Sequence, residues 1–198
     1  MTIITNQGEL FPSQSIPDDK RLTTHINISK DIIIKWQDKI NNHQSFLFSS
    51  NKKLINQRQL FPEGNSSEAN LFNPLSLAPL ALSFWRLSST LHKGPALYLV
   101  MDKPSHLETP LLLYIGETAA ANLRWKGEHD CKKYLNFYKE TLESVGMKSQ
   151  LSIRFWTDVP SSTKPRRRLE KEMINLWLPA FNKETKSRWA TPFTAELN

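Results

Sequence analysis

The chain has 198 residues, 39% of them apolar, with 26 Lys and Arg against 19 Asp and Glu and a formal net charge of +7. That supplies enough apolar side chains for a core of its own, which excludes a disordered polyelectrolyte, and the basic excess permits a polyanion such as nucleic acid as partner. A single cysteine, Cys131, excludes an intramolecular disulfide, and no CxxC or Cys/His spacing offers a zinc site.

No run of about 18 apolar residues exists, and residues 1–11 lack a basic segment followed by an apolar stretch. The expectation is a soluble, intracellular protein of the reducing cytoplasm with no membrane partner. Residues 1–25 are polar, with Pro12 and Pro17 and no sustained period. Residues 31–40 carry Ile33, Ile34, Trp36, Gln37 and Ile40, a pattern that fits a short helix or a strand. Residues 51–73 read mostly as loop. Pro74 and Pro79 argue against a continuous helix before Leu80, and residues 78–87 are expected to close as one helix packed on the core. Residues 1–92 together are read as an N-terminal accessory extension of net charge +2, against +5 for residues 93–198.

From Lys93 onward the pattern is orderly, and residues 93–185 are read as one domain followed by a tail at 186–198. Residues 96–102 and 111–116 are two strands joined by a wide hairpin containing Pro104 and Pro110. Thr118 is placed to cap a helix over 119–126, which Gly127 interrupts. A helix over 130–145 puts Tyr134, Leu135, Tyr138, Leu142 and Val145 on one face and stops at Gly146. Alternation over 151–159 predicts a third strand, and Ser162 or Thr163 followed by Pro165 opens a last helix over 166–178. The fold class is therefore α/β (α+β), a small three-stranded sheet flanked by helices in the order β-β-α-α-β-α, with an N-terminal extension.

Within that order Tyr114-Ile115-Gly116 ends the second strand, and Tyr98 stands in the first as Ala96-Leu97-Tyr98. Arg124 follows Tyr114 by ten residues, and Glu170 is followed by Pro179 at nine and Asn182 at twelve. Over residues 95–184 these positions resemble the GIY-YIG nuclease family, whose members share that register. Ala96-Leu97-Tyr98 stands in place of Gly-Ile-Tyr, fifteen residues separate the two tyrosines, and Glu117 occupies a position where many relatives carry lysine or serine.

The resemblance implies a divalent-metal-dependent endonuclease that hydrolyses DNA phosphodiester bonds. Glu170 would hold one Mg²⁺ or Mn²⁺ ion, since magnesium keeps several waters and needs few protein oxygens. Arg124 would present a forked guanidinium to the phosphate. Tyr98 would act as general base or water-orienting group, so that Tyr98→Phe costs about 10²- to 10⁴-fold in turnover, with Tyr114 beside it. Gly116, His129 and Asn182 would support the site, and Arg124, Lys126, Arg166 and Arg167 would contact nucleic acid. DNA is the expected partner, RNA stays open, and so does the oligomeric state.

Plainer readings stand beside each of these. Glu170 fits a solvated helix glutamate paired with Lys171 or Arg166, Arg124 a surface arginine covered by Trp125, and either tyrosine a core ring. Arg166 to Arg168 fan around a helix axis as a solvated face would. Glu117 adds negative charge beside the phosphate site, which motivates an alternative: a GIY-YIG-fold nucleic-acid-binding module with weak or no turnover. A third reading is a scaffold with no nucleic-acid role.

Overall fold

A computed structural model describes residues 28–60, 68–84, 92–126 and 130–191 of the chain. Strand β2 (Ala96–Asp102) is an apolar run from Ala96 to Met101 closed by Asp102, with all seven residues buried, as in a strand covered on both faces. It pairs antiparallel with β3 (Leu111–Thr118) on one side and β4 (Ser152–Trp156) on the other. Its alternating side chains feed two cores. Tyr98 and Val100 enter one, and Leu97, Leu99 and Met101 the other.

The first core is closed by helix α4 (Asp130–Ser144) through Leu135, Tyr138 and Leu142, and by Phe181 and Trp189. The second is closed by α5 (Thr163–Trp177) through Leu169, Met173, Ile174 and Trp177. Helix α1 (Lys30–Leu60) serves both. Its Ile33, Trp36 and Ile40 lie in the first core and its Phe48 in the second. Between them Gln44 meets the outer edge of β3, donating to Leu112 O at 3.0 Å and accepting from Leu112 N at 2.8 Å. Two residues of sheet edge are thus answered by side-chain amides, because Asn182 does the same for Ile115, accepting from its N at 3.0 Å and donating to its O at 2.8 Å. Each amide supplies the donor and acceptor that a neighbouring strand would.

A buried polar chain fastens the opposite end of β2. Gln37 Nε2 donates to Tyr138 Oη at 2.6 Å, and that hydroxyl donates to Asp102 Oδ2 at 2.6 Å. Asp102 Oδ1 accepts from Gln150 N at 2.6 Å. Burial raises the Asp102 carboxyl above its ordinary value, against the lowering effect of these bonds. Among the described residues no helix is long and apolar enough to cross a membrane.

The mixed α+β class is as expected, and several details are not. The sheet has four strands in the order β1-β4-β2-β3, since β1 (Leu80–Ala81) pairs with β4 as Leu80↔Ile153 and Ala81↔Ser152. The helix expected over 78–87 gives way at those two residues because the free edge of β4 offers their backbone a partner. Residues 85–91 lie outside the described set. The segment 31–40 is helical, and α1 continues through 51–60, assigned above to loop. That stretch carries neither glycine nor proline, so nothing in its backbone stops a helix already nucleated by the stripe Ile33–Trp36–Ile40. A four-residue helix α2 (Glu68–Leu71) replaces a further part of the expected loop. The boundary at 92/93 cuts through this sheet and core, and Trp189, assigned to the tail, is buried. Residues 192–198 lie outside the described set.

Candidate active site

Strand register sets the centre of the site. Tyr98 lies opposite Gly116 and Val100 opposite Tyr114, so the two tyrosines are diagonal neighbours on one face of the sheet. Their rings are 6.0 Å apart and nearly parallel, at 23°. Gly116 is needed for this, and not for a turn. β3 runs straight through it to Thr118, and a Cβ at Gly116 would fall 2.3 Å from Cζ and Oη of Tyr98. Gly116, expected above to end the strand and support the site, lies inside it and admits the Tyr98 ring.

Helix α3 (Ala121–Arg124) follows, shorter than expected. Its N-cap is Ala120, and Thr118 acts just before it, its Oγ1 accepting from Ala120 N at 3.0 Å. The turn returns Arg124 over Tyr98. Its Nε donates to Tyr98 Oη at 3.2 Å, and the guanidinium carbon is 5.9 Å from the ring centre. Lys132 on α4 fixes the end of the turn by donating to Trp125 O at 2.6 Å.

Helix α5 brings the carboxylate. Glu170 Oε1 accepts from the backbone N of Glu117 at 2.9 Å, and among the described residues Oε2 has no protein hydrogen bond. Burial, then the neighbouring Glu117 and Glu184 charges, push the Glu170 carboxyl up to about 7. Burial pushes the Tyr114 phenol up to about 12, helped by Cys131 and Glu170 and opposed by a hydrogen bond from Tyr98. Tyr98 is raised further, by burial and then by Tyr114.

Tyr114, Arg124 and Glu170 open onto one cleft of about 730 Å³ between α4 and α5, which Asn182 also lines. The sequence positions singled out from three separate elements therefore meet in one place. Tyr98 does not join them at the surface. With 0% exposure it lies beneath Tyr114 and Arg124, so the role of base facing water, expected for it above, does not fit its position. Lys126 is exposed but does not line the cleft. His129 lies outside the described residues.

The three consecutive arginines meet three fates. Arg166 is 1% exposed, and its guanidinium is consumed by Glu117 Oε2 at 2.9 Å, Pro160 O at 3.2 Å and Ser161 O at 2.7 Å. The nucleic-acid contact expected of Arg166 is overturned by that burial. Arg167 is 68% exposed and lines the cleft, with its Nε on Glu117 Oε1 at 3.0 Å. Arg168 is 83% exposed and pairs with Glu172 one turn on. Glu117, foreseen as a charge opposing phosphate, is thus held between two guanidiniums.

The sequence reading missed Lys133, Lys171, Lys183 and Glu184, which complete the cleft walls. Lys171 adjoins Glu170, and Lys183 and Glu184 follow Asn182, so proximity to the marked positions was the available signal. Among the described residues no group of three or more His, Cys, Asp or Glu side chains could hold a metal ion. Glu170 alone still suits a hard cation. It is a carboxylate in an open cleft with one oxygen uncommitted, and its neighbours Glu117 and Glu184 make its charged form costly without a counter-ion. No protein-family model matches the chain, and neither does any curated protein or solved structure.

Proposed function

We propose that this chain is a divalent-metal-dependent endonuclease of the GIY-YIG kind, hydrolysing DNA phosphodiester bonds in the cleft between α4 and α5. The observation that carries this reading is the convergence of Tyr114, Arg124 and Glu170, from β3, α3 and α5, on a single cleft. A phosphodiester bound there places its nonbridging oxygens toward the Arg124 guanidinium, whose fork matches them. Tyr98 holds that guanidinium through Nε, leaving the terminal nitrogens for phosphate, and so acts as a positioning residue.

Tyr114 keeps its proton at neutral pH and serves as a hydrogen-bonding group that orients the attacking water. Glu170 would hold one Mg²⁺ or Mn²⁺ ion, which when bound supplies positive charge at the phosphate and acidifies coordinated water. Arg166 and Arg167 pair with Glu117 and offset its charge toward a phosphate.

Supercoiled, linear and branched DNA incubated with wild type and Glu170→Ala in magnesium, manganese or EDTA tests the proposal. The expected result is metal-dependent cutting by wild type that Glu170→Ala loses. Wild type that cuts no DNA form, or a variant that cuts as well, overturns it. DNA retained on a gel without cutting would instead favour the nucleic-acid-binding module.

A further inference from the structure

Arg167, like Arg124, lines the cleft and is fixed in direction, and it stands on the same helix as Glu170. Its Nε is held by Glu117 Oε1 at 3.0 Å, and among the described residues nothing engages its two terminal nitrogens. Glu117 is itself fixed, since its other oxygen is taken by the buried Arg166. A guanidinium normally spends rotamer entropy when it binds an anion; one clamped at Nε has lost much of that freedom already. The clamp leaves the outer N–H groups as a pair suited to two oxygens of one phosphate.

Position tells which phosphate. Arg167 precedes Glu170 by three residues on α5, so the two share a helix face one above the other. Arg124 reaches the cleft from another element, α3. Two guanidiniums approaching from different elements do not need the same phosphate on a polymer that repeats its charge along the strand.

We propose that Arg167, aimed by Glu117, binds a backbone phosphate of DNA next to the one being cleaved. This inference rests on the nuclease reading for the identity of the cleaved phosphate, and its binding half stands without it. Of the three adjacent arginines only Arg167 reads the substrate. Arg166 serves the clamp, and Arg168 serves neither.

The test is equilibrium binding of duplex DNA in EDTA across a salt titration, for wild type, Arg167→Ala, Arg167→Lys and Arg168→Ala, followed by cleavage kinetics in magnesium. One lost phosphate contact lowers the slope of log affinity against log salt by about one. Arg167→Ala is expected to show that drop and about tenfold weaker binding at low salt. Arg167→Lys restores the slope but only part of the affinity, since an ammonium lacks the fork. Arg168→Ala matches wild type. In the cleavage assay Arg167→Ala raises KM and keeps kcat near wild type.

A slope for Arg167→Ala equal to wild type overturns the proposal, as does an equal drop for Arg168→Ala, which would mean general surface charge. If wild type binds with the expected slope pattern yet cuts nothing, the nuclease reading falls and the phosphate contact stands. If it cuts while the slopes coincide, only the contact falls. If it neither binds nor cuts, both fall.

Discussion

Adding one methyl group at Gly116 should cost the fold more than its size suggests. The new Cβ would lie 2.3 Å from Cζ and Oη of Tyr98 and 2.9 Å from Cε1, where nonbonded carbons settle at about 3.5–4.0 Å. The ring would therefore have to retreat by more than about 1 Å. It has nowhere open to go, being fully buried with Tyr114 and Trp125 at 6.0 Å and Phe155 at 6.3 Å between ring centres. Overpacking of this kind costs about 1–3 kcal/mol. For a chain of this length that is a fall in Tm of roughly 2–12 °C, at about 2–4 °C per kcal/mol. A double-mutant cycle isolates the cause. Tyr98→Ala removes the ring, so Gly116→Ala on that background should be nearly free, giving a coupling of about 1–3 kcal/mol by urea denaturation. A coupling below about 0.5 kcal/mol would refute the argument, since the glycine would then be required for something other than Tyr98.

Three further outcomes are expected. Arg166→Ala should destabilise by about 3 kcal/mol, because it breaks a buried ion pair, while Arg168→Ala should stay within about 0.5 kcal/mol; equal urea midpoints for the two would contradict the burial argument. Glu170 has a carboxyl raised from 4.5 to about 7 by burial, so the folded state binds its proton more tightly than the unfolded. Its contribution to stability is complete below about pH 4.5 and lost as pH rises through 7. Glu170→Gln should therefore gain Tm relative to wild type between pH 5 and 8 in EDTA, and a gap that shrinks over that range would count against the shift. Asn182→Ala should cost about 1–3 kcal/mol by leaving the Ile115 backbone groups without their protein partners, and a thermal melt matching wild type would mean water replaces the amide freely.

Much of this could be read in the chain. The apolar run from Ala96 to Met101, the alternation around Ile153 and the helical stripe of Leu135, Tyr138 and Leu142 each encode a local pattern that matches its final environment. The spacing of Glu170, Pro179 and Asn182 was also legible, because one helix and its exit turn carry all three. What escaped depends on partners far away. Leu80–Ala81 is a strand only because β4 has a free edge. Glu117 is ion-paired because Arg166, 49 positions on, is buried against it. Which of two neighbouring tyrosines lies underneath is settled by Trp125 and Phe155 packing on Tyr98, and no spacing between the tyrosines records that.

The edge of β3 has a longer reach than its two amides suggest. Gln44 and Asn182 counterfeit the backbone of an absent strand at Leu112 and Ile115, so those positions are already answered where a further strand would pair. The sheet ends there through side-chain chemistry and through cover, since α1 packs on this strand and Phe181 N donates to Leu113 O at 2.8 Å. Such a seal can age. Deamidation at either residue would exchange an N–H donor for a carboxylate oxygen facing a carbonyl, and the segment that covers the edge would be the first to loosen.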